Sequence, residues 1–344
     1  MLKIVSPNDQ HVWFDSLSTK SSWKTIIERE SIINYENFCT QINQLTPWFK
    51  DLDYNESKKK VTNYLIKSIT SVVGKDEIIN LNFSSTESIG EYLHNNIHVF
   101  NDINLPIDIP STDIHRMQKS QFWIGDFYSA NLVLSTLSDL GIEFKESEKY
   151  LDLGCSSGSL LRVLNWFYPK AFWFGCDPVG TSIDWATERL SGIDFSLSNQ
   201  SPPLPHESNK FDGVISISVW SHHGSTACRN WFEEVHRILK PGGWFLFTAH
   251  GPRSIYYYAN SERYRSKGLE RWISIYEGLL QNYHVFEQVW MIDDDAGNNA
   301  NDWGNFYVKP EWIITNLAEN FFPKLYYRGA NQRNQDLYIF QKKF

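Results

Sequence analysis

The stretch YLDLGCSSGSLLRVL, residues 150–164, constrains this chain more than any other. An apolar run carrying an acid passes into a turn bracketed by Gly154 and Gly158, and apolar residues at helical spacing follow. That order spells buried strand, tight loop, helix. Glycine permits the sharp turn and a close approach of backbone to ligand. The loop, with the helix N-terminus behind it, is expected to aim its amides at a polar group. A dinucleotide site asks for G-x-G-x-x-G. The position two after Gly154 is Ser156, so that pattern fails and D-x-G-x-x-x-G remains.

Downstream segments continue an alternating plan. AFWFGCDPV, residues 171–179, is a second apolar strand ending at Asp177. In an open parallel sheet, ligands bind beyond the carboxyl ends of the strands. An acid there can accept both hydroxyls of a ribose; capping a helix over 182–190 is its weaker alternative role. Residues 193–198 and 213–219 read as the third and fourth strands. A helix over 227–239 is stopped by Lys240-Pro241-Gly242-Gly243, and 244–249 form a fifth strand.

The glycine loop, the PPLP segment before Phe211-Asp212, and RILKPGGWFLF at its distance from the loop together resemble the class I S-adenosylmethionine (SAM)-dependent methyltransferases. The nearest motifs are those of small-molecule and natural-product O-methyltransferases. The resemblance covers about residues 149–344, with 254–303 unmatched in detail. It implies an α/β fold: a Rossmann-like, mostly parallel sheet with an antiparallel last strand, preceded by a mainly helical N-terminal region. The last two strands are expected at 323–329 and 336–341, after a helix over 310–320.

The resemblance also implies SAM as cofactor. Asp152, Gly154, Cys155, Ser156 and Gly158 would hold its amino-acid end, with Asp177 on the ribose. Pro178, Val179 and Asn199 would lie near the adenine, and Ser218 beside the cofactor at the fourth strand. Where the family often has an acid for the adenine amine, this chain has Asn199 or Gln200, whose amide oxygen can still accept that bond. Segment 118–140 stands where many relatives carry an aromatic helix over the cofactor. Trp123 and Tyr128 are therefore candidate lid residues, with plain core packing as the alternative.

Methyl transfer from a sulfonium is a displacement that needs alignment, and a hydroxyl acceptor gains from a base. Histidine suits that task at neutral pH. SVWSHH follows the fourth strand and resembles sugar O-methyltransferases with a histidine pair there, so His222 and His223 are candidate bases; lining the pocket is the plainer role. His250, ending the fifth strand, is the second candidate, and Asp302 a weaker acidic partner. The expected reaction is O-methylation of a small-molecule, sugar-bearing or natural-product acceptor. A peptide or protein acceptor, including a carboxylate, and a noncatalytic SAM-binding module are the alternatives.

Residues 1–110 carry no motif; 22–45, 57–73 and 82–99 read as helices of a cap or docking region. A pre-core lid helix over 111–148, a core over 149–344 and a substrate-recognition insertion over about 254–303 complete the expected plan. No metal site is expected. His94 and His98 share a helical face but lack the acid of H-E-x-x-H, and Asp293, Asp294 and Asp295 lack an EF-hand pattern. The four cysteines show no C-x-x-C spacing. A net charge of −8 disfavours nonspecific binding to nucleic acid or anionic membrane. With no leader-like or bilayer-length apolar stretch, a cytoplasmic protein is the expectation. The 14 Trp among 344 residues imply a rich aromatic core, an aromatic pocket, or both.

Overall fold

The computed structural model describes residues 108, 110, 111, 113, 114, 122–260, 269–288, 303–332 and 334–344. The N-terminal helices expected before residue 100, with His94 and His98, lie outside the described residues. So do Asp293, Asp294, Asp295 and Asp302.

Helix α1 (Phe122–Ser138) leads into a Rossmann-like core. Its elements are β1 (Lys149–Leu153), α2 (Ser159–Phe167), β2 (Phe172–Asp177), α3 (Gly180–Arg189) and β3 (Ile193–Leu197). β4 (Phe211–Ser216), α4 (Ser225–Ile238) and β5 (Leu239–Ala249) follow. Next come α5 (Pro252–Asn260), α6 (Leu269–Asn282), β6 (His284–Glu287) and β7 (Asn305–Val308). α7 (Pro310–Leu317), β8 (Phe321–Asn331) and β9 (Gln335–Lys342) close the chain. Seven strands form one sheet in the order β3-β2-β1-β4-β5-β9-β8, and β6 pairs with β7 separately. β1 to β5 are parallel, while β9 runs antiparallel to both its neighbours. This is the expected mostly parallel sheet with an antiparallel last strand.

Central strands bury both faces, which is why they read as continuous apolar runs. Tyr150, Trp173, Trp244, Leu246 and Ile339 pack under α1 and α2 with Leu132, Val133, Leu161 and Leu164. On the other face Leu151, Val214, Phe245, Phe247 and Phe340 meet Trp220, Phe232, Val235 and Ile313. α4 shows the underlying pattern: Ala227, Cys228, Trp231, Phe232, Val235 and Ile238 are buried, whereas Arg229, Asn230 and Glu233 are exposed. Its C-terminus is closed by the buried Lys342, whose ammonium donates to the His236 and Leu239 carbonyls and to Asn209 Oδ1. A cation is favourable at that end of a helix. Much of the described aromatic content lies in this core, Trp231 included. Trp231 and Trp303 reach the cleft described below.

Several boundaries differ from the sequence reading. β4 ends at Ser216, because the chain bends through 217–219 and Ser218 takes a left-handed φ of 66°. α3 starts at Gly180, two residues early. Leu239 already pairs with Phe211, so the Lys-Pro-Gly-Gly turn is an irregularity inside β5. Among its described residues the insertion holds helices α5 and α6, with their own core around Ile255, Trp272, Tyr276 and Tyr307, and β6, which pairs with β7 just beyond it, a pair the sequence reading did not foresee. Among the described residues no helix is long and apolar enough to cross a membrane.

Ala249 pairs with Asp336, so β9 begins where β5 ends. The β8–β9 turn is thereby carried to the carboxyl edge of the sheet. Strand packing is tight at Gly213, opposite Trp244, where an added Cβ would stand 2.3 Å from Trp244 Cε2. Gly213→Ala is expected to cost about 1–3 kcal/mol, as overpacking does. It would be measured as a lower urea midpoint at unchanged m-value.

Candidate functional site

A cleft of about 320 Å³ opens at the carboxyl ends of β1, β2 and β4. It is lined by Asp152, Gly154, Cys155, Ser156, Asp177, Pro178, Val179, Asn199 and Ser218, and by His222 and His223. The sequence had singled out all of these. Ser129, Ser198, Gln200, Trp231, Trp303, Asn331, Asn334 and Gln335 join them.

The glycine loop is built differently from the expectation. The amides of Gly154 and Cys155 both donate to the Cys176 carbonyl, at 2.9 and 3.1 Å, and Gly158 N donates to Cys155 O. Ser156 N donates to Asp177 Oδ2 at 2.8 Å. These four amides are spent on binding the loop to itself and to β2, rather than aimed at a ligand. The polar face the loop turns to the cleft is therefore more acceptor than donor. Gly154 sits at φ 82°, and a Cβ there would lie 2.4 Å from Val219 Cγ2, so glycine is required. Gly158 is the N-cap of α2 and is packed under Phe195, off the cleft wall.

Asp177 is held by a second amide, Val179 N, at 2.9 Å from Oδ1. With both oxygens fixed, the carboxylate has a set orientation at the end of β2. Burial raises it to about 6, against the lowering effect of the Val179 and Ser156 amides. Asp152 is raised to about 8, first by burial and then by Asp177. Cys155 and Cys176 are buried thiols pushed upward by burial, which leaves them as packing groups.

The histidines divide into two on the wall and one behind. His222 Nδ1 lies 2.8 Å from the Gly304 carbonyl, to which it donates, so the ring's lone pair is on Nε2. Burial lowers His222 to about 4 and His223 to about 3, so both are neutral at pH 7. Trp303 packs on both rings, with centroids 5.2 and 4.9 Å away. His250 is off the cleft wall. It stands behind His222 at 5.7 Å, stacked on Tyr307, with Tyr258 Oη 3.1 Å from its Nε2.

β7 and the residues before it stitch both histidine segments together. Gly304 N donates to His222 O, Phe306 N to Ser221 O, and Val308 N to His250 O. Trp123 and Tyr128 lie on the first turns of α1; their side chains are outside the described residues.

A family model described as a methyltransferase domain matches residues 151–243, which holds the glycine loop, β2 with Asp177, and the histidine pair. The chain carries the domain of a class I SAM-dependent methyltransferase. As such it is an enzyme, and SAM is its cofactor. The methyltransferase is 25% identical over 224 residues to a fatty-acid O-methyltransferase of Mycolicibacterium smegmatis, covering 62% of this chain and 75% of that one. It is 24% identical over 198 residues to a phthiotriol/phenolphthiotriol dimycocerosates methyltransferase of Mycobacterium tuberculosis, covering 57% of this chain and 62% of that one. A solved SAM-dependent methyltransferase from Methanosarcina mazei is 17% identical, covers 58% of this chain and 95% of its own, and superposes with a TM-score of 0.43. The fold assignment rests on the strand order itself.

The cleft's donor set fits SAM, whose sulfonium and ammonium outweigh its carboxylate. Two buried acids line it and, among the described residues, no lysine or arginine does. Asp152 lies higher in the folded chain than its ordinary 3.8, so its contribution to stability is complete below about pH 4 and is lost as pH rises to about 8. In the ligand-free enzyme, Asp152→Asn is expected to gain on the wild type between pH 6 and pH 8. The gain should be on the order of 2 kcal/mol, read from urea unfolding at both pH values. A constant difference would show an ionised Asp152.

Proposed function

We propose that this methyltransferase methylates a hydroxyl oxygen of a small-molecule acceptor, with His222 as the general base. The observation that carries the reading is the bond from His222 Nδ1 to the Gly304 carbonyl, in a ring on the cleft wall. It fixes the tautomer in which Nε2 receives a proton. Burial keeps the ring uncharged at neutral pH, the form a base must have. When bound, SAM supplies the activated methyl group.

The chain's own residues supply the rest. Asp177, its carboxylate oriented by Ser156 and Val179, accepts from the ribose hydroxyls, and Asp152 faces the cationic amino-acid end. Val179 and Asn199 flank the adenine, with Pro178 and Ser218 on the same wall. Gly154, Cys155 and Ser156 form the floor, and Gly158 sets the turn beneath it. His223 packs against Trp303 and shapes the acceptor side, while His250 supports His222 from behind. Trp123 and Tyr128 are proposed on the lid, the insertion over about 254–303 on acceptor recognition, and residues 1–110 as a cap or docking region. The site of action is taken as the cytoplasm.

A carboxylate acceptor, as in the fatty-acid O-methyltransferase relative, is the second reading. The electrostatics oppose it. An anion entering this cleft would meet two acids and no cationic side chain among the described lining residues.

His222→Ala is expected to slow single-turnover methyl transfer by about 10²- to 10⁴-fold while SAM affinity holds. His223→Ala should cost far less. A wild-type rate in His222→Ala would move the reading to an acceptor that ionises unaided. Asp177→Ala is expected to weaken SAM binding by roughly 10- to 100-fold, the scale of hydrogen bonds to a charged group. Calorimetric titration with SAM would read that loss; an unchanged affinity would take Asp177 off the ribose.

A further inference from the structure

The β8–β9 turn puts three amide side chains, Asn331, Asn334 and Gln335, on the wall of the cleft that holds His222. Gln335 is 5% exposed, and its Oε1 is fully engaged: it accepts from Ser218 Oγ at 2.9 Å, Thr248 Oγ1 at 2.7 Å and Asn331 Nδ2 at 2.9 Å. Three donors on one oxygen decide which way the amide faces. Its Nε2, with two donor hydrogens, has no acceptor among the described residues. Asn331 spends its Nδ2 on Gln335 and keeps its Oδ1 as an acceptor. Asn334 donates from Nδ2 to Tyr258 Oη at 3.0 Å, and its Oδ1 is sealed from water without a donor. An oxygen in that state is out of reach of a ligand in the cleft, so Asn334 braces the turn through Tyr258.

The turn therefore offers one pair of donors, on Gln335 Nε2, and one carbonyl acceptor, Asn331 Oδ1, both neutral. The opposite character comes from Trp303 and Trp231, which give the same cleft an aromatic side. Few polar groups with fixed direction on an otherwise apolar wall are what orient a small ligand. A hydroxyl both donates and accepts, and two adjacent hydroxyls match a donor set beside an acceptor set. A fatty acyl chain would leave Gln335 Nε2 and Asn331 Oδ1 without a partner.

We propose that the β8–β9 turn selects the acceptor. Gln335 donates to one oxygen and Asn331 accepts from its neighbour, so the acceptor is a neutral molecule with vicinal hydroxyls. The inference rests on the hydroxyl-methylation reading above and narrows it to a substrate class.

The test uses the full-length enzyme saturated with S-adenosylhomocysteine. Methyl α-mannopyranoside, myo-inositol and catechol are titrated as vicinal-diol probes, beside hexadecanoic acid. Binding is followed by calorimetry and by the side-chain amide resonances of ¹⁵N-labelled protein. At least one diol is expected to bind and to shift the Gln335 amide signal, which is identified by its loss in Gln335→Glu. Gln335→Glu keeps an oxygen for Ser218, Thr248 and Asn331 while replacing the cleft-facing donor with an acceptor, so the fold is preserved. It should weaken the diol about tenfold or more and leave S-adenosylhomocysteine affinity unchanged.

Binding of no diol, equal diol binding by Gln335→Glu, or binding of hexadecanoic acid in preference to the diols would each overturn the proposal. The two readings fail separately. A diol bound through Gln335 but methylated equally fast by His222→Ala sinks the base and spares the turn. Slow transfer in His222→Ala with an unaffected Gln335→Glu does the reverse.

Discussion

One carbonyl sets the geometry on which the cleft depends. Cys176 O, at the end of β2, accepts the amides of both Gly154 and Cys155 from the loop after β1. Two neighbouring parallel strands are thereby tied at the point where the sheet opens. The next residue on each side of the tie completes it, because Ser156 N donates to the Asp177 carboxylate. The interaction brings Asp177 close enough to the buried Asp152 to oppose its ionisation, a state that a cationic ligand would relieve. A loop whose amides are turned inward in this way is suited to a cationic amino-acid end more than to a phosphate, which wants free N–H groups. The absent second glycine of the dinucleotide pattern, where Ser156 stands, and the inward amides are two views of one construction.

The charge of the cleft follows from the same economy. The chain's acidity has little bearing on it, since the two acids are buried and their ionisation is set locally. Histidines sealed under Trp303 and Tyr307 are held neutral by burial, which opposes their charged form. A wall of neutral imidazoles and amides on one side and carboxyls on the other divides the cavity chemically. On the proposed reading, the cationic ligand takes the glycine-loop end, and the remaining volume is left to uncharged polar contacts.

Much of this was legible in the sequence, for identifiable reasons. β1, β2, β4 and β5 are apolar on both faces, and their loops carry glycine, proline or an acid where the chain must turn. Local pattern and global fold agree there. The β8–β9 hairpin was legible as two strands for the same reason. Its chemistry was not: Asn331, Asn334 and Gln335 read as turn-forming residues, and only the pairing of Ala249 with Asp336 carries them to Ser218. The partner of His222 was invisible on different grounds. It is a backbone carbonyl, Gly304 O, and a backbone group leaves no mark in residue identity. β6 and β7 are four residues each, too short for a period-2 pattern to separate them from loop. Where the sequence had pointed to the glycine amides as a ligand cradle, the deciding fact was the rival acceptor across the strand gap.

The segment that orients His222, Gly304 with β7, follows directly on the region inserted after β5. Its amides reach back to Ser221, to His222 and to His250, and so join two core loops through a peripheral element. The insertion and the catalytic edge are consequently not separable modules. Exchange of this segment for a relative's would alter the imidazole's tautomer and the shape of the acceptor side in one event. On the proposed reading of His222 as base, a change of acceptor and a change of proton handling are coupled in this chain, and a chimera that replaced Gly304 with the insertion would have to bring its own carbonyl for the histidine.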